Sequence, residues 1–161
     1  MSSELERLET QIKLAFEGPA WHGPSVLESL AGLTPAGAAA HPVAGAHSAW
    51  ELVLHLGGTY RLVLRRLGGE DAQLTPDEDW PAVPLPPAEA AWREAIRSLQ
   101  ALNAQVRGEV LRFDPLRLDE PLCACVAYTA YTQFIGITQH DLYHAGQIAV
   151  LKKALRLTTS L

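Results

Sequence analysis

Two long segments rich in proline, the first of them also in glycine, divide the chain, and they constrain its fold more than any other feature. Residues 18–47 form the first segment and residues 70–87 form the second, which holds five prolines. Proline lacks a backbone N–H and interrupts a helix, so we expect the first segment to be mostly loop and the second to be a long crossover loop. The remainder shows apolar residues at helical spacing and no convincing strand alternation. The sequence therefore predicts an all-α protein.

Four stretches outside these segments are predicted to be helices. They cover about residues 3–16, 48–67, 88–110 and 129–154. The second begins with Ser48 and carries Glu51 three residues later, a spacing typical of a capping box. Residues 25–33 could form a further short helix. Four helices with long first and middle connections favour a four-helix bundle, and we expect one domain over residues 1–161.

The composition excludes several classes of partner. The net charge is −5 and no basic cluster stands out, which argues against nucleic-acid binding. No run approaches the roughly 18 apolar residues needed to cross a membrane, and the first residues do not resemble a signal peptide. The two cysteines, Cys123 and Cys125, are too close in sequence to bridge without strain. We therefore expect a cytoplasmic protein that binds a small-molecule substrate.

The segment "HDLYHAGQ", residues 140–147, carries the clearest chemical pattern. His140 and His144 lie one helical turn apart, so two imidazoles on one face could share a metal ion. Gln147 lies on the same face, where a polar side chain directed inward is costly unless it has a partner. An exposed helix can also carry such a pair, and the pattern alone does not decide between the two interpretations.

His55 is the third candidate ligand because it lies in the otherwise apolar run of residues 52–56. The run predicts that His55 faces the interior, either as a metal ligand across the bundle or as a core histidine bonded to a backbone carbonyl. Glu51 and Thr59 lie one turn to either side on the same face. They are candidates for holding the ligands in place or for supplying a fourth ligand.

Further residues are candidates for the wall of the same site. Glu51 and Gln147 could orient a ligand or a bound nucleophile, and Tyr143 or Tyr60 could lie near the pocket. His47 is a possible residue of the pocket rim. For Cys123 and Cys125 we favour a role as small packing residues, with a soft-metal or redox element as the alternative.

Two blocks resemble the DinB/YfiT-like family of metal-dependent proteins. They are "HSAWELVLHL", residues 47–56, and "GITQHDLYHAGQIAVLKKAL", residues 136–155. The resemblance implies a four-helix bundle of up-down-down-up type, a homodimer, and a zinc or nickel ion bound by three histidines. Carried onto this chain, these ligands are His55, His140 and His144.

The resemblance also suggests a range of activities. Relatives include S-transferases that use a low-molecular-weight thiol such as bacillithiol or mycothiol, and other members are known as stress-induced genes. Three neutral imidazoles leave a coordination position open, as in catalytic sites. Our leading interpretation is a metal-dependent transferase that activates a small thiol. The alternatives are a metal-dependent hydrolase that uses ion-bound water, or a non-catalytic metal-binding stress protein or sensor.

Overall fold

Helices account for nearly all regular structure in residues 3–158, which the computed structural model describes. In chain order the helices are α1 (Glu4–Glu17), α2 (Val26–Leu30), α3 (Pro35–Ala39), α4 (Ala49–Leu67), α5 (Pro76–Asp79), α6 (Glu89–Arg112) and α7 (Ala130–Thr158). A short 3₁₀ turn, Pro115–Arg117, lies between α6 and α7. No strand occurs in the described residues, so the predicted all-α class is confirmed.

The four long helices, α1, α4, α6 and α7, agree with the four predicted stretches to within a few residues. The capping box at α4 is present: Ser48 Oγ accepts from the Glu51 N–H at 3.2 Å, and Glu51 Oε2 accepts from the Ser48 N–H at 2.6 Å. Residues 1–2 and 159–161 of the predicted domain lie outside the described part. The up-down-down-up order of the helices stays a prediction.

Two short helices were not predicted. The sequence suggested a helix within residues 25–33, where α2 is found, but residues 34–40 and 70–87 were assigned to loop. That assignment was wrong for α3 and α5, each of which begins at a threonine cap followed by proline. Proline at the first helical position is favourable because its missing N–H has no partner there in any case.

The core lies where the apolar faces of the long helices meet. α4 packs mainly against α6, α1 packs against α6 and α7, and α2 covers part of α7. The largest fully buried side chains of the core include Phe16, Trp50, Leu99 and Ile137, one from each long helix. No helix within residues 3–158 combines the length and apolar character that a membrane span requires.

A buried chain of hydrogen bonds crosses this core and links three helices. Asn103 Nδ2 of α6 donates to Tyr60 Oη of α4 at 3.2 Å, and Tyr60 Oη donates to Asp141 Oδ1 of α7 at 2.8 Å. All three side chains are buried, and burial raises the pKa of Asp141 to about 8 even though the bond from Tyr60 lowers it. Asp141 therefore helps to fix the rotation of α7 next to the two histidines that flank it.

Gly58 allows α5 to lie directly against α4. A Cβ atom at Gly58 would overlap with the backbone carbonyl oxygen of Glu78, whereas at Gly57 the nearest atom would be Arg61 Nη1 at 3.5 Å, an ordinary contact. The close approach justifies a glycine inside a helix, where it is otherwise unfavourable. It also places Asp79, the last residue of α5, beside α4.

We expect Gly58→Ala to destabilise the protein by about 1–3 kcal/mol, because the added methyl group must push α5 away from α4. Gly57→Ala is the matched control, and its expected effect is a gain of up to about 1 kcal/mol from the better helix propensity of alanine. Chemical denaturation followed by circular dichroism measures both. Equal effects of the two substitutions would contradict the close approach.

We expect Asp141→Asn to raise stability at alkaline pH. The folded protein holds Asp141 protonated up to about pH 8, whereas an unfolded aspartate ionises near pH 4. The contribution of protonated Asp141 to the free energy of unfolding is fully present below about pH 4. It is lost as the pH rises towards 8, at up to about 1.4 kcal/mol per pH unit. The difference in unfolding free energy between variant and wild type should therefore grow from about pH 5 to about pH 8. A constant difference would contradict the prediction.

Candidate metal centre

Three imidazole rings from α4 and α7 converge on one point. His140 Nε2 lies 3.0 Å from His55 Nε2 and 3.0 Å from His144 Nε2. One nitrogen from each ring lies within 4.8 Å of the others. His55 and His144 are buried and His140 is partly buried. The structure thus brings together the three histidines that the sequence suggested as ligands.

The outer nitrogens of two rings have fixed partners. His55 Nδ1 lies 2.9 Å from the backbone carbonyl oxygen of Asp79 and 2.9 Å from its carboxylate Oδ1. Both partners can only accept, so Nδ1 carries the proton and Nε2 presents a lone pair. His144 Nδ1 likewise lies 2.6 Å from Gln147 Oε1. Carboxylates and carbonyls hold metal-binding histidines in this way, because the tautomer is thereby fixed.

The arrangement fits a divalent cation at the point where the three rings meet. With Nδ1 protonated on His55 and His144, their Nε2 lone pairs face His140 Nε2, which can donate a proton to only one of them. His140 Nδ1 is buried without a partner. Two nitrogens that each bind one zinc ion at about 2.1 Å are separated by about 3.0–3.4 Å, which matches the observed spacing. A cation would satisfy all three lone pairs at once.

Electrostatics keep two of the rings in the neutral form that binds metal. Burial, with the neighbouring His144 and His55 rings, lowers the pKa of His140 to about 3. Burial also lowers the pKa of His144, although the hydrogen bond to Gln147 partly offsets this. Because these imidazoles stay unprotonated at neutral pH, no proton has to be displaced from them when an ion binds.

Trp80 holds the His55 ring from the side. Its indole stacks on His55 with 4.1 Å between centroids and 5° between planes, and on His47 with 3.6 Å and 7°. The three rings form one parallel stack that closes this side of the site. His47 therefore lies at the rim, as the sequence suggested.

A cavity of about 370 Å³ lies on the His47 and Gln147 side of the site, and none of the three histidines lines it directly. It meets the site at His47 and at Gln147, which bonds to His144, and Tyr143 packs on the His144 ring with 5.0 Å between centroids. The remaining lining is mostly apolar and comprises Val43, Ala46, Leu52, Gly146, Val150 and Leu151. Such a cavity suits an organic molecule with an apolar body.

The other candidate residues have different positions. The Glu51 carboxylate is engaged by its cap and by His41 Nε2 at 2.9 Å. Partial burial raises the pKa of Glu51, but these hydrogen bonds outweigh it and the net change is a decrease. Thr59 lines a smaller cavity beside His140, and Tyr60 lies in the core bonded to Asp141. Direct roles for Glu51, Gln147 and Tyr143 in orienting a nucleophile stay predictions.

Sequence reasoning missed Asp79, and it suggested Trp80 only as a core or pocket-wall residue. Both lie at the end of α5, in a segment that was assigned to loop. The acidic run "PDED" next to a tryptophan was the available signal, yet nothing in it shows which helix the segment contacts. The interpretation of His55 as a core histidine bonded to a carbonyl is half correct, because Nδ1 makes that bond while Nε2 faces the other histidines.

Comparison with known proteins identifies the family of the chain. A profile of the DinB superfamily matches residues 21–148, a range that contains all three histidines, Asp79 and Trp80. The chain therefore belongs to the DinB superfamily. Searches of the curated proteins and of the solved structures found no match.

We expect Asp79→Ala to lower zinc affinity about 10–100-fold, because His55 loses its carboxylate partner and is held only by the carbonyl oxygen. Asp77→Ala is the matched control, since Asp77 is an exposed residue of the same short helix. Competition titration with a chromogenic chelator gives both affinities. Equal affinities in the two variants would contradict the role of the Asp79 carboxylate.

Proposed function

We propose that the protein is a divalent-metal-dependent transferase that activates a small thiol and joins it to an electrophilic substrate. The observation that carries the proposal is the convergence of the three Nε2 atoms. A mostly apolar cavity is linked to them through Gln147, which bonds to His144. The ion is zinc or nickel, as the resemblance implies, and the thiol is of the bacillithiol or mycothiol type.

The charge of the ligand set supports an anionic substrate group. Three neutral imidazoles supply no negative charge, and the Asp79 carboxylate contacts the outer nitrogen of His55 rather than the inner one. A divalent ion held there would favour the thiolate over the thiol, so that the sulfur is reactive at neutral pH. His55, His140 and His144 would hold the ion, and a set of three protein ligands would leave a coordination position for the substrate.

The chain's own residues would orient the reaction rather than take part in bonds. Asp79 and Gln147 hold two of the rings, Trp80 closes one side, and the apolar cavity receives the body of the electrophile. In the transfer, the thiol gives up its proton and its sulfur bonds to the electrophilic carbon. The leaving group departs with the electrons of the broken bond and takes up a proton.

The proposal includes a homodimer, in keeping with the family resemblance. Tyr131 on α7, Leu111 on α6 and Leu116 in the 3₁₀ turn are large apolar residues that are exposed in the single chain and do not line the cavity. Burying them against a second copy would remove apolar surface from water. We place the protein in the cytoplasm, where low-molecular-weight thiols are kept reduced.

We expect protein purified without a histidine tag or added metal to contain about one equivalent of zinc, nickel or another divalent ion at the histidine centre. Mass spectrometry should therefore find about one equivalent less metal in His144→Ala than in the wild type, because two ligands bind far more weakly than three. His22→Ala is the control, since His22 is an exposed histidine of the first connection. Equal metal content in the wild type and His144→Ala, also after titration with the ion, would overturn the proposal.

Turnover distinguishes the transferase from the alternatives. The metal-loaded protein is incubated with a reduced thiol and an aromatic electrophile, and conjugate formation is followed beside ester hydrolysis without thiol. Thiol-dependent conjugation that is absent in His144→Ala supports the transferase. Ester hydrolysis without conjugation would instead favour the metal-dependent hydrolase. Tight ligand binding without turnover would favour a metal-binding sensor.

A further inference from the structure

Cys123 and Cys125 form a second group of metal-ligating side chains with Asp71. The two Sγ atoms and a carboxylate oxygen of Asp71 all lie within 4.8 Å of one another. Both cysteines are free thiols. Cys123 is buried, Cys125 is partly buried and Asp71 is exposed, so an ion could reach the group from solvent. The group shares no residue with the three-histidine site.

Hydrogen bonds hold together the two segments that carry these side chains. The Cys125 N–H donates to Asp71 Oδ1 at 3.2 Å, and Cys125 Sγ donates to the Ala72 carbonyl oxygen at 3.5 Å. Gln73 Nε2 donates to the Cys125 carbonyl oxygen at 3.4 Å. The ligand atoms are therefore close before any ion binds, which reduces the ordering that binding requires.

Arg66 bonds to the segment that carries Asp71 and has no acidic partner among the described residues. The residue is 3% exposed, and its guanidinium donates to Ala72 O at 3.0 Å and to Gln73 Oε1 at 3.1 Å. Its other acceptors, Tyr128 Oη and Gln133 Oε1, are also neutral. None of the ion pairs found within residues 3–158 involves Arg66. A buried charge without a counter-charge is unfavourable.

We propose that Asp71, Cys123 and Cys125 bind a thiophilic metal ion such as Zn²⁺, separately from the three-histidine centre. Thiolates select soft or borderline ions, and a carboxylate is an accepted further ligand of zinc. Two thiolates and one carboxylate around a divalent ion leave one net negative charge. The buried guanidinium of Arg66 supplies the matching positive charge. The cysteines, expected to be packing residues, are then ligands.

Cadmium titration of the reduced, metal-free chain tests the site, because thiolate–cadmium bonds give an ultraviolet charge-transfer band that imidazole ligands do not give. In His144→Ala, which disables the histidine centre, the band should still saturate near one equivalent. Cys125→Ser should abolish it, and Asp71→Asn should weaken cadmium binding about tenfold or more. A missing band in His144→Ala, or an unchanged band in Cys125→Ser, would overturn the proposal.

A second measurement needs no substitution at the cysteines, in case a serine disturbs folding. His144→Ala is alkylated with iodoacetamide with and without Zn²⁺, and the modification of Cys125 is quantified by mass spectrometry. We expect Zn²⁺ to slow this modification about tenfold or more, because a metal-bound thiolate is less available to the reagent. Equal alkylation in the two conditions would overturn the proposal. Neither assay depends on whether the histidine centre is catalytic.

Discussion

The buried hydrogen bond from Tyr60 to Asp141 helps to fix how α7 is rotated against α4, and the convergence of the three histidines depends on that rotation. His55 lies on the same helix as Tyr60, and His140 directly precedes Asp141. At an exposed position water would compete for this hydrogen bond. In the core, leaving the Tyr60 hydroxyl or Asp141 Oδ1 unpaired would cost free energy. Asn103 extends the restraint to α6. These buried polar groups thus hold three helices in fixed positions relative to one another, although burying a polar group is unfavourable in itself.

The long helices could be predicted because their signals are local. Apolar residues at helical spacing mark α1, and a capping box marks the start of α4; in both, the residues that contribute lie within a few positions of one another. α3 and α5 are too short to show a period, so glycine and proline suggested loop instead. The close approach of Glu78 to Gly58 could be identified only in the structure.

The candidate site likewise has a part that local sequence signals predict and a part that only the structure shows. The spacing of His140 and His144 on one helix is a local property, and the apolar run around His55 predicts an inward side chain. The family resemblance then implied that His55 and this pair belong to one metal site. Asp79 could not be found in this way, because its contact with His55 depends on how the middle connection crosses α4. Glu51 fitted two patterns in the sequence, the capping box and the helix face that carries His55. The structure places its carboxylate at the helix cap rather than against the three rings.

The stack of His47, Trp80 and His55 makes the indole an optical reporter of the histidine centre. Coordination would withdraw electron density from His55, whose ring lies parallel to the indole at 4.1 Å. An ion bound by His55 would therefore change the emission of Trp80. Trp50 and Trp92 pack on each other in the core and Trp21 is exposed, so none of these three is in that stack. Of the four tryptophans, Trp80 is the one whose emission would respond directly to occupancy of the centre.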